Sequence, residues 1–161
     1  MKGFTIVLRA LHRGEGDLAR ALVTAAEHHR NEHEFHHVAT DVARWSREHV
    51  RRLAAVAADC GLDLGDAPEA AGLLPARRRE EPDVTGHHAE PGLLLLRDLR
   101  DLHLHAAENS LHWEMLAQAA QAAREQQLLA LATACHPQTL RQMRWTNTMI
   151  KTLAPQTITS L

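Results

Sequence analysis

Apolar positions recur along most of this chain at alternating steps of four and three, the spacing of a helix that buries one stripe. The clearest run is Leu95, Leu99, Leu102, Ala106, Asn109, Trp113, Leu116, Ala120 and Ala123. Phe4, Val7, Leu8, Leu11, Leu18, Leu22, Ala25, Ala26 and His29 keep one face near the start of the chain. Phe35, Val38, Val42, Trp45, His49, Leu53, Val56 and Cys60 form another, stopped by Gly61, which takes the left-handed backbone that ends helices. The last runs through Leu128, Leu131, Ala132, Cys135, Thr139, Gln142, Thr146, Met149, Ile150 and Leu153. The pattern predicts four helices, over 3–30, 35–60, 92–124 and 126–153. Gly14 and Gly16 each weaken the first by roughly 1 kcal/mol relative to Ala, yet the phase holds across them, so one continuous helix is expected. Pro137 is expected to kink the fourth helix or split off its first turns, and Pro155 to stop it.

The stretch 61–91 has no such period. It holds four of the six prolines (Pro68, Pro75, Pro82 and Pro91) and the charged run Arg77-Arg78-Arg79-Glu80-Glu81. So long a connection is unusual in a compact domain. A crossover along the whole length of a helical bundle gives it a reason. The expected fold is therefore all-α: one four-helix-bundle domain over 1–161, with a long crossover between the second and third helices.

Composition narrows the partners. A chain of 161 residues can bury a core without staples. A formal charge of -2 gives no drive toward nucleic acid or an anionic membrane surface. The four leucines Leu93 to Leu96 stop at Arg97, far short of a bilayer span. Arg9 interrupts the apolar run near the N-terminus, against a secretory signal. Cys60 and Cys135 sit at helical apolar positions and read as free core thiols in a reducing compartment. A soluble, cytoplasmic protein is the expectation. The 13 histidines make metal worth testing.

Each apolar face also carries something polar. Glu15, His49, Asn109 with His112, and Thr139 with Gln142 fall on the four faces in turn, with Ser46 one turn before His49. In a bundle whose first helix starts where its second finishes, and whose third finishes where its fourth begins, these residues share one depth. Asp98, His105 and His112 sit on one shoulder of the third helix. A buried amide or imidazole without a partner costs roughly 1–3 kcal/mol, so the four helices must satisfy one another there.

Four long helices joined short, long, short resemble the ferritin-like superfamily. Trp45-Ser46-Arg47-Glu48-His49-Val50 and Ala117-Gln118-Ala119-Ala120-Gln121-Ala122-Ala123-Arg124 resemble, more loosely, uncharacterised actinobacterial ferritin-like proteins, a likeness that implies no activity. The superfamily resemblance implies a di-iron site with one Glu from each of two helices and a Glu-x-x-His pair from each of the others. By position Glu15 keeps its acid and His49 its imidazole. Ser46 and Asn109 stand where two further Glu residues belong, and Thr139 and Gln142 stand for the last Glu-x-x-His. Two hard iron ions need several carboxylates, so no ferroxidase or oxygenase centre is expected. The absence of Tyr removes the usual electron relay.

Three readings of the layer follow. It is a structural plug in which Glu15 accepts from His49 and Asn109 and Gln142 close the network. Or Glu15, His49 and His112 or His105 hold one divalent ion (zinc, manganese or iron). Or the bundle holds a small or haem-like ligand, or a partner protein on its surface. The expected function is a non-catalytic bundle with a degenerate buried polar or metal site, acting by binding or interaction. Its expected partner is a second copy or another protein, with no cofactor beyond one divalent ion.

Elsewhere, His28, His29, His33, His36 and His37, with Glu34 and His37 as a local Glu-x-x-His, are expected to form a solvated, pH-sensitive bundle end. His87, His88 and Arg77 to Arg79 read as exposed, and His103 as pointing away from the core. His136-Pro137 reads as a cap or kink. No nucleophile–base pair, phosphate loop or nucleotide fingerprint is present.

Overall fold

The periodic stripes form helices because burying them together is the only way to remove so much Leu and Ala surface from water. The computed structural model describes residues 1–64 and 90–161. It comprises α1 (Lys2–His28), α2 (His33–Asp59), α3 (Pro91–Ala123) and α4 (Gln126–Thr159), with no strand among the described residues. No helix is long and apolar enough to cross a membrane among those residues.

Two apolar clusters fix the directions of the helices. Leu22 of α1, Phe35 of α2, Leu99 of α3 and Met149 of α4 meet in one. Leu8, Leu53, Trp113 and Leu128 meet in the other. Hence α1 and α4 run one way and α2 and α3 the other. The α1–α2 and α3–α4 pairs have the most extensive contacts, with α1 also on α3 and α2 on α4. Leu62 and Leu64, just past α2, pack on the second cluster, whereas Leu95, near the start of α3, belongs to the first. The guanidinium of Arg9 holds this exit by donating to the Asp63 carbonyl at 3.0 and 2.7 Å. The expected crossover over 61–91 falls mainly on 65–89, outside the described residues.

Both helix ends nearest the second cluster close in the same way. After α2, Gly61 has φ 67°, and its N–H reaches the Ala58 carbonyl while that of Leu62 reaches Ala57. After α3, Arg124 takes φ 58°, with Arg124 N–H on Gln121 and Glu125 N–H on Ala120. The pattern satisfies carbonyls left over at a helix end. At Gly61 the left-handed backbone is free, whereas at Arg124 its Cβ costs about 1 kcal/mol.

Helix α1 passes through Gly14 and Gly16 without a break. Helix α4 corrects the expected stop at Leu153. It runs to Thr159 with both Pro137 and Pro155 inside it. A proline removes one N–H but does not end a helix whose flanking turns are held by packing. Cys135 and Thr139 are buried on either side of Pro137. Beyond Pro155, Thr157 lies where the missing side chain of Gly92 leaves room, 2.8 Å from the position of a Cβ there.

Candidate functional site: a buried polar layer between two cores

The two apolar clusters do not merge. Between them lie the fully or nearly fully buried Glu15, Ser46, His49, Asn109, His112, Thr139 and Gln142. The carboxylate of Glu15 is at its centre. Its Oε1 accepts from the indole N–H of Trp113 at 2.9 Å and from the Thr139 hydroxyl at 3.4 Å. Oε2 has no hydrogen-bond partner among the described residues.

His49 lies beside it, Nδ1 being 3.2 Å from Glu15 Oε1. The ring N–H direction is off that line, so this is a close polar approach rather than a hydrogen bond, and Nδ1 has no hydrogen-bond partner. The other ring nitrogen, Nε2, is 2.8 Å from Gln138 Oε1. An amide oxygen only accepts, so Nε2 carries a proton. The indole of Trp113 closes the group edge-on to the His49 ring, with centroids 5.7 Å apart.

Gln142 serves a second group. Its amide N–H₂ donates to the Val42 carbonyl at 3.0 Å and the Ser46 hydroxyl at 2.9 Å, bridging α4 to α2. Asn109 faces α1. A Cβ on Gly14 would stand 2.2 Å from Asn109 Oδ1, so Gly14 is the residue that lets the amide oxygen approach α1 this closely. Its Nδ2 has no hydrogen-bond partner among the described residues. His112 is 7% exposed with Nδ1 likewise unpartnered. Burial, above all, pushes its pKa below the ordinary histidine value, Glu108 opposes this, and Arg13 adds to it.

These residues are buried, and their wiring differs from the one expected. Trp113 and Thr139 are the donors to Glu15, in place of an aligned His49 bond, and Gln142 closes on Ser46 and Val42 instead of Glu15. Indole nitrogen prefers a partner when buried, and Trp113 one turn after Asn109 was the signal available for this. Gln138 was invisible because a residue adjacent to the stripe has no periodic mark. Among the described residues, no group of three or more His, Cys, Asp or Glu side chains is placed to hold a metal ion. Glu15 and His49 are together, but neither His112 nor the half-buried His105 completes such a group with them.

Other polar groups have settled differently. At the bundle end His29 is 8% exposed and its Nε2 lies 2.7 Å from Asp98 Oδ2, while His36 Nδ1 lies 2.7 Å from the Ala26 carbonyl. That end is thus partly built into the core, while His28, His33, Glu34 and His37 are exposed. His103 is not turned away: Nδ1 lies 2.9 Å from Thr146 Oγ1, because the shoulder of α3 faces α4. His136 Nε2 lies 2.8 Å from Ser110 Oγ, also tying α4 to α3. Cys135 is buried and its thiol is pushed up to about 11 by burial, which keeps it protonated and unreactive. Cys60 is only half-buried.

Comparisons with protein-family models, with curated proteins and with solved structures found no match.

Proposed function

We propose that this chain is a non-catalytic, ferritin-like helical bundle whose dinuclear layer has become a polar plug, and that it acts by binding or interaction. One observation carries the reading. Among the described residues Glu15 is the only acid in the buried layer, and its Oε1 already accepts from Trp113 and Thr139. The layer's other members Ser46, Asn109, Thr139 and Gln142 carry no carboxylate. A di-iron centre needs several carboxylates to balance its charge. This donor set does not fit one. The antiparallel placement of α1 against α2 and α3, and the parallel run of α2 and α3, support the ferritin-like topology. Buried polar networks of this kind fix helix register. In this reading the surface, bearing a second copy or another protein, is the working part.

Iron(II) oxidation tests the claim. No rate above buffer is expected, and a saturable rate abolished by Glu15→Ala would refute it.

A second reading keeps one divalent ion on Glu15, His49 and His112 or His105. It is favoured by Glu15 Oε2, His49 Nδ1 and His112 Nδ1, each a buried metal-type donor without a hydrogen-bond partner. It requires His112 or His105 to turn toward the pair. Element analysis of protein purified without a His-tag or chelator decides between the two. Stoichiometric zinc, manganese or iron, with added zinc raising the Tm of wild type but not of His49→Leu, would establish the ion.

A further inference from the structure

Gly14 and Gly16 weaken the same helix, but only one of them is explained from inside the bundle. Gly14 makes room for Asn109. At Gly16 a Cβ would meet nothing nearer than Arg20 Nη1 at 3.6 Å and Val50 Cγ2 at 4.0 Å, ordinary contacts. No neighbour demands a glycine there, and in mid-helix it forfeits about 1 kcal/mol relative to Ala. What its missing side chain does is deepen a surface groove between α1 and α2. The groove encloses about 480 Å³, within the size of small-molecule sites. Gly16, Ala19, Val23 and Val50 give it an apolar floor, and Arg20 from α1 and Arg47 from α2 bring guanidinium groups to it.

The two arginines are not equivalent. Arg20 is paired with Asp17 one turn before it, and its guanidinium overlies Gly16. Arg47 is exposed and makes no ion pair or hydrogen bond to any described residue. The groove thus has one uncommitted cation above an apolar floor, with a second cation whose single carboxylate partner leaves donors to spare. A guanidinium favours planar, bidentate oxyanions.

We propose that this groove binds a small amphiphilic carboxylate, its head on Arg47 and Arg20 and its hydrocarbon tail over Gly16, Ala19, Val23 and Val50. The groove lies on the outer face of the α1–α2 pair, so the inference stands whether the buried layer is a plug or a metal site. Gly16 sets the depth for the tail, and Arg47 sets the sign of the head.

Titrating the ¹⁵N-labelled full chain with octanoate tests this, with octanol and octylamine in parallel. Saturable shifts of the Gly16, Ala19, Val23 and Val50 amides are expected with octanoate, and neither control should reproduce them. Arg47→Glu and Gly16→Leu, each checked for helix content and Tm, should weaken binding by about tenfold or more, the loss of one charge-assisted contact or of the tail's space. Arg47 is exposed, so its reversal leaves the fold intact and carries the test even should Gly16→Leu not fold. The proposal is overturned by an absence of saturable shifts, by equal shifts with octanol, or by binding that Arg47→Glu leaves unchanged. It is equally overturned if octanoate is inert while an acidic helical peptide moves the same amides, since the groove is then a protein-docking surface.

Discussion

Of the histidine–carboxylate pairs in this bundle, two lie at different depths, and depth makes them different objects. His49 and Glu15, at mid-length, are 1% and 0% exposed; His29 and Asp98, at the bundle end, are 8% and 16% exposed. At the end, Asp98 has a second partner in Arg97 at 3.1 Å, and water reaches the remainder. In the middle both side chains are out of reach of solvent and no Lys or Arg is paired with them among the described residues, so Trp113, Thr139 and Gln138 supply the polar partners. A histidine beside a carboxylate is a partly exposed contact in one place and the fully buried centre of a network in the other. Burial, rather than chemistry, decides how much each pair matters to the fold.

The largest expected effect is on that contrast itself. His49→Leu should destabilise by about 1–3 kcal/mol, since it removes the Nε2–Gln138 hydrogen bond and leaves the buried Glu15 carboxylate one polar neighbour fewer, whereas His29→Leu should lose under about 1 kcal/mol because Asp98 keeps Arg97 and water. Adding Glu15→Gln should recover much of the His49→Leu loss, because Gln keeps an acceptor for Trp113 and Thr139. Glu15→Leu should not, since it orphans the indole. Denaturant titrations of the singles and doubles measure this, and equal losses at His49 and His29 would break the comparison.

Next is the packing of the layer against α1. Gly14→Ala drives a Cβ into Asn109 and is expected to destabilise by about 1–3 kcal/mol, as overpacking does. Gly16→Ala, two residues on and free of that contact, should stabilise by about 0.5–1 kcal/mol. Combining Gly14→Ala with Asn109→Ala should show a coupling above about 0.5 kcal/mol, which additive effects would contradict.

Acid sharpens the contrast through His112. Its folded pKa is held down by burial, so on acidification below about pH 6.5 the unfolded chain takes up this proton first. The contribution of His112 is whole above that pH and is lost as the pH falls toward the folded value. Stability measured from pH 7.5 to 5 should decline, and less steeply in His112→Gln. An unchanged slope would mean that His112 is not the group responsible.

The smallest effect lies outside the layer. Arg124→Gly relieves a left-handed backbone at an exposed turn and should raise stability by about 0.5–1 kcal/mol, seen as a small rise in Tm.

The sequence alone determined the four helices of the described residues and which face of each is buried, because a 3.6-residue period needs no partner to be visible. It also marked Glu15, Ser46, His49, Asn109, Thr139 and Gln142, since a polar residue on an apolar stripe is legible in one dimension. Gly61 announced its own stop. The tertiary structure decided who meets whom. Hydrogen bonds within the layer run between residues 98 and 124 positions apart, as in Trp113 to Glu15 and Thr139 to Glu15, and no local pattern encodes such pairings. It decided that α4 continues past Pro155, because packing of the last turn against α3 outweighs one missing N–H. And it separated Gly14 from Gly16. Side by side in the sequence they are the same weak spot, yet one is held in place by Asn109 on another helix and the other opens onto solvent.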